Sequence, residues 1–138
     1  MTKRGFGRSV VLLGLLCAAA PVLAHHSFSV EYDANKPMAF EGVVTKIEWT
    51  NPHARVYVDV PDGKGGSVNW NLELASPSAL ARNGWTSRTL KVGDKVTVEG
   101  YAAKVAPNRG NARSVITADG RSLFGGAADD NAPGGGNQ

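Results

Sequence analysis

Apolar and polar residues alternate with a period of two through the middle of the chain. In HARVYVDV, residues 53–60, Ala54, Val56, Val58 and Val60 fall on one side, and His53, Arg55, Tyr57 and Asp59 on the other. Successive side chains of a strand point to opposite faces, so this pattern predicts a half-buried strand. SVNWNLEL, residues 67–74, repeats it: Val68, Trp70, Leu72 and Leu74 inward, Asn69, Asn71 and Glu73 outward. The PDGKGG between them reads as a hairpin loop. Upstream, AFEGVVTKIEW (39–49) with Thr50 is rich in β-branched and aromatic residues and predicts a first strand. Gly42 marks a bend or a close approach within it, and Asn51-Pro52 a turn after it.

The period then changes. Ser76 suits a helix N-cap, Pro77 the first helical position, and SALAR can make two turns before the Asn83-Gly84 stop. Trp85 is expected to plug the core beneath this helix. KVTVEGYAAKV (95–105) predicts strand 4, with Val96 and Val98 inward. APNRGNA (106–112) reads as a long polar turn, and RSVITA (113–118) as strand 5, ended by Asp119-Gly120. The order β-β-β-α-β-β predicts an all-β protein: a small five-stranded OB-like barrel with one short helix between strands 3 and 4. A small sandwich is the rival arrangement, and it would not require that helix.

The two ends differ from this middle. Lys3, Arg4 and Arg8 precede an uncharged apolar run, Ser9–Ala20, followed by Pro21 and Val22-Leu23-Ala24. Those are the three parts of a cleavable secretory signal. The run is roughly 12 residues, against the ~20 that span a bilayer as a helix. Leu16 stands where acylation of Cys17 would want a small residue, so an ordinary cut after Ala24 is the expectation. From Gly125 onward GGAADDNAPGGGNQ is too polar and glycine-rich to pack and is expected to be disordered. The expected division is signal peptide 1–24, N-terminal arm 25–38, barrel domain 39–124 and tail 125–138. The mature protein is then expected in the periplasm or outside the cell, without a membrane attachment.

Charge follows from that cut. The chain has 15 Lys+Arg against 12 Asp+Glu. Three of the basic residues and none of the acidic ones lie in the leader, so the remainder balances. The basic excess therefore says nothing about partners, and nucleic acid loses its main argument. The single Cys also lies in the leader, so disulfides are not expected to stabilise the mature chain.

Candidate chemistry begins with the three histidines. Cleavage after Ala24 would leave His25-His26 at the new N-terminus, while His53 heads strand 2. A free α-amine has a pKa of about 7.7–8. That amine, the imidazole of the same residue and a second imidazole make a three-nitrogen site of the histidine-brace kind. Such ligands suit Cu(II), which heads the divalent affinity order. An arm from His25 to Ala39 reaches at most roughly 46–50 Å, against roughly 33 Å for strand 1, so it could return to His53. The plainer readings are a solvated terminus for His25-His26 and a turn-capping ring for His53.

A second candidate is the outward phase of strands 2 and 3, the usual ligand face of an OB-fold. Arg55, Tyr57, Asn69, Asn71 and Glu73 lie there, and the strand 4–5 turn adds Lys104, Asn108, Arg109, Asn111 and Arg113. An aromatic among amides and arginines suits a peptide, a glycan or an envelope-protein partner. No nucleophile–base pair, G-x-S-x-G, H-E-x-x-H or Walker motif is present, so an enzyme is not expected. The lead expectation is an exported binding protein with a copper site at its mature N-terminus; the alternative is an OB-type interaction module using the strand 2–3 face.

Several stretches also carry a family resemblance. They are HHSFSVEYD, the F-x-G-x-V of Phe40–Val44, TNPHARVYV, the W-x-L-E-L of Trp70–Leu74 with Ser76-Pro77 after it, and LKVGDKVTVEGY. Together they resemble a bacterial family of small exported proteins of unknown function. The resemblance covers nearly all of residues 25–124, includes the His-His and the Asn-Pro-His, and excludes the tail. It implies an exported, β-barrel-like domain of Gram-negative bacteria and implies no activity.

Overall fold

The computed structural model describes residues 28–126. The expected signal, His25, His26 and the tail from Ala127 onward lie outside the described residues. Within them the chain makes one helical turn, α1 (Phe28–Glu31), then β1 (Tyr32–Glu48), β2 (Arg55–Pro61), β3 (Ser67–Glu73), α2 (Pro77–Arg82), β4 (Lys95–Ala103), β5 (Arg109–Thr117) and β6 (Ser122–Phe124).

The strands form one sheet in the order β3-β2-β1-β4-β5-β6, and β3 also pairs with β5. That extra pairing is parallel and joins Asn71, Leu72 and Glu73 to Arg109, Gly110 and Asn111. Five strands therefore close into a ring, as expected of an OB-like barrel. β1 is shared between the two halves: Val43 pairs with Asp59 of β2 on one side and Lys95 of β4 on the other. The bend there requires Gly42. A Cβ at that position would lie 2.5 Å from the Asp59 carbonyl oxygen and from Val58 Cγ1.

The inward phases of β2, β3 and β4 pack as the alternation predicts. Val56, Val58, Leu72 and Val98 are fully buried, with Val44 and Val115 beside them. Trp70 and Val68 are half-buried, less enclosed than their inward phase predicts, and Trp70 packs at a tilt on Phe40 with ring centroids 4.9 Å apart. α2 fills one end. The Ser76 hydroxyl accepts from the Ala79 N–H at 3.2 Å, Pro77 occupies the first turn, and Leu80 and Trp85 are buried beneath.

Three boundaries differ from the sequence expectation. β1 begins at Tyr32, not Ala39, since Tyr32 pairs with Ala103 and Pro37 and Met38 with Tyr101 and Gly100 of β4, the mostly polar residues 33–36 bulging out of the ladder between them. β5 begins at Arg109, so the expected long turn shrinks to its first half. Gly110 and Ala112 are buried there, and Met38 packs over Gly110, where a Cβ would meet Met38 Cε at 2.5 Å. The third difference is β6, which makes the strand count six where five were expected. It runs back along β5, and Gly125 follows it into the seam. The Gly125 N–H donates to the Arg113 carbonyl and the Ala75 N–H donates to the Gly125 carbonyl, both at 2.8 Å. This backbone seals the barrel where β3 leaves for α2. Gly125 and Gly126, assigned to the tail by composition, are therefore buried.

Candidate functional site

The register of β2 and β3 sets the outward residues in facing pairs: Arg55 with Glu73, Tyr57 with Asn71, Asp59 with Asn69. The pairs are bonded to one another. Arg55 Nη2 donates to Glu73 Oε2 at 2.8 Å, and Nη1 donates to Asn71 Oδ1 at 3.1 Å. The Asn71 amide donates to the Tyr57 hydroxyl at 3.4 Å, and that hydroxyl donates to Glu48 Oε2 at 3.2 Å. Asn69 Nδ2 donates to Asp59 Oδ1 at 2.8 Å and to Thr45 Oγ1 at 2.9 Å. Lys46 lies 4.9 Å from the Tyr57 ring centroid and bonds Glu48, which holds the Glu48 carboxyl below its usual range. Most of the polar capacity of this face is thus spent within the face.

Arg109 sits beside Asn71 across the β3–β5 seam, and its Nη2 pairs with Glu31 Oε1 at 2.9 Å. Arg55, Tyr57, Asn69, Asn71, Glu73 and Arg109 therefore share one wall, with Arg109 tied to α1. A cleft of about 690 Å³ lies elsewhere, lined by Val43, Asp59, Pro61, Lys95, Thr97 and Ile116 among others, and none of those six residues lines it.

α1 and the start of β1 cover part of the same wall. Phe28 packs on Tyr32 and Tyr101, with centroids 5.6 and 5.4 Å away, in a cluster separate from the main core. Tyr101 faces Asn111, and Asn111 faces Glu73. Beneath this cover several polar groups are buried. Glu73 is 5% exposed and Asn111 fully enclosed. Among the described residues both side-chain atoms of Asn111, the Tyr32 hydroxyl and Arg109 Nε have no hydrogen-bond partner. A buried polar atom without a partner is rare and usually signals water or a ligand.

Tyr32 lay in the expected arm and escaped the sequence reading, whereas Asn111 is a candidate residue that lies in strand β5 and not in the expected turn. The signal that places Asn111 in a strand is the alternation of Arg109, Asn111 and Arg113 with the small Gly110 and Ala112. The turn residues Pro107 and Asn108 masked it.

Burial, and next the negative charge of nearby Glu73, push the Tyr32 phenol well above its usual value. The hydroxyl lies near that carboxylate without reaching hydrogen-bond geometry. An unfolded tyrosine ionises near pH ~10. Above that pH the unfolded chain loses a proton that the native state keeps, so stability falls as pH rises. Tyr32→Phe is therefore expected to flatten the alkaline loss of stability. Chemical unfolding at pH values on either side of 10 measures it; an unchanged slope in the variant would remove Tyr32 as the cause.

His53 lies two positions ahead of Arg55 and is half-buried. Its Nδ1 is buried without a partner among the described residues, so that nitrogen caps no turn there. His25 and His26 lie outside the described residues. Among the described residues no three His, Cys, Asp or Glu side chains are grouped as a metal ion would need, and no helix is long and apolar enough to cross a membrane.

A family model matches residues 12–113, from ahead of α1 into β5. The chain belongs to the Family of unknown function (DUF6152). No curated protein matches it. The DUF6152 match contains the whole β1–β3 meander, α2 and β4, and ends before β6.

Proposed function

We propose that this DUF6152 protein is an exported, periplasmic binding protein with no catalytic role, which takes Cu(II) at its processed N-terminus. The observation that carries the reading is the His53 imidazole, with a buried nitrogen that no group of the described residues satisfies. Connectivity supports it. From Phe28 back to His25 the chain can span roughly 10 Å. Phe28 packs on Tyr101, and from β4 to β2 across the wall is three strand spacings, roughly 14 Å along the sheet. Two imidazole side chains bridge what remains. Cleavage after Ala24 supplies the third nitrogen by freeing the α-amine of His25, with His26 as a further imidazole.

The test begins with intact mass, which should show His25 as the first residue of exported protein. Copper is then titrated by calorimetry into four proteins: the authentic chain, one with an added N-terminal Met, His25→Ala and His53→Ala. The added Met and His25→Ala are each expected to weaken Cu(II) binding by at least about tenfold, and His53→Ala by a smaller factor. The authentic protein is expected to prefer Cu(II) to Zn(II) and to bind less tightly as pH falls, because protons compete for its nitrogens. Equal affinity of the authentic and extended chains would end the copper reading. The strand 2–3 face remains the second reading, but its internal bonding leaves a partner little to satisfy.

A further inference from the structure

β5 carries one residue more than β4 at the point where Glu99 faces Ser114 and Gly100 faces Ala112. Arg113 is the residue between them, left without an opposite number in a β-bulge. Such bulges redirect a side chain and recur beside binding sites. Arg113 helps line a cleft of about 540 Å³ together with Pro37, Met38, Glu99, Tyr101 and Phe124. Phe124 stays 46% exposed there, on the rim. The volume suits one small organic molecule.

The charges in this cleft do not neutralise each other. Arg113 belongs to none of the ion pairs of the described residues, and its Nη1 is buried with no partner. Glu99 also stands outside those pairs, and one of its oxygens accepts from the Ser114 hydroxyl at 3.0 Å. A guanidinium and a carboxylate thus share one concavity without meeting. A simple anion would be attracted by Arg113 and repelled by Glu99, and a simple amine the reverse. A molecule carrying both charges satisfies both. The guanidinium fork matches a carboxylate, Glu99 offers an acceptor to an ammonium, and Met38, Pro37, Tyr101 and Phe124 form apolar walls for the rest.

We propose that this cleft binds a free α-amino acid with an apolar side chain, held as its zwitterion between Arg113 and Glu99. It shares no residue with the copper site proposed above, and neither reading depends on the other.

The experiment titrates mature protein with L-phenylalanine, 3-phenylpropionate and 2-phenylethylamine, followed by NMR shifts. A chelator is present throughout, so that a metal complex of the amino acid cannot contribute. L-Phenylalanine is expected to bind at least about tenfold more tightly than either single-charge analogue. Arg113→Gln should lose about tenfold or more for L-phenylalanine, and Arg113→Lys should recover part of it. Glu99→Gln should weaken L-phenylalanine and strengthen 3-phenylpropionate. That opposite response needs no destabilised variant, because Glu99 is at the surface. Absence of saturable L-phenylalanine binding overturns the proposal. So does equal binding of the three probes, or a Glu99→Gln change of the same sign for both acids.

Discussion

Leu72→Ala is expected to cost about 2–5 kcal/mol in unfolding free energy, much of the stability that a single small domain has to lose. Leu72 is fully buried, and it is also the middle residue of the parallel β3–β5 ladder, opposite Gly110. Gly110 has no side chain to move into the space, and Met38 is already packed against it. The cavity is therefore expected to stay open, which places the cost in the upper part of that range. Urea unfolding of the variant and the parent measures it directly. A loss below about 1 kcal/mol would mean that the seam relaxes and that Leu72 does not hold it.

Arg55→Ala is expected to be the next most damaging change. Glu73 has a side chain only 6% exposed, and the Arg55 guanidinium is its ion-pair partner. Removing one member of a buried pair leaves the other charge uncompensated, at roughly 3–5 kcal/mol. Arg55 is itself 24% exposed, so water can partly replace it and the lower end of the range applies. The double variant Arg55→Ala, Glu73→Gln should recover a substantial part, since no buried charge is then left alone. Thermal unfolding of the single and double variants decides it; a double variant as unstable as the sum of its parts would show that the pair is not coupled.

These two residues also show what was legible in the sequence. The strict alternation of Val56, Val58, Leu72 and Val98 was enough to assign strand, phase and core, because a barrel wall buries one face and wets the other. The helix signals at Ser76-Pro77 and Asn83-Gly84 were local and chemically specific, and α2 lies between them. Tyr32 was not legible, since besides Phe28 it packs with Tyr101 and Ala103 of β4, far away in sequence, while its neighbours Asp33, Asn35 and Lys36 are polar. Arg113 was legible as a strand residue but not as a bulge, because a bulge is a property of two strands together. The grouping of Arg55, Tyr57 and Glu73 followed from parity. Their mutual hydrogen bonding did not, since alternation says which face a residue takes and nothing about how far across that face it reaches.

The closing ladder has a consequence for how the molecule comes together. β1, β2 and β3 follow one another through short loops, so the chain loses little entropy in pairing them. β4 must return to β1 across the whole meander and α2. Arg109–Asn111 must then find Asn71–Glu73, and only afterwards can Gly125 settle between Ala75 and Arg113. Non-local pairing of this kind is slow. A chain growing from its N-terminus and halted between Ala103 and Arg109 holds the material for an open, curved sheet with β3 and β4 as its bare margins. The ring exists only once β5 has been added.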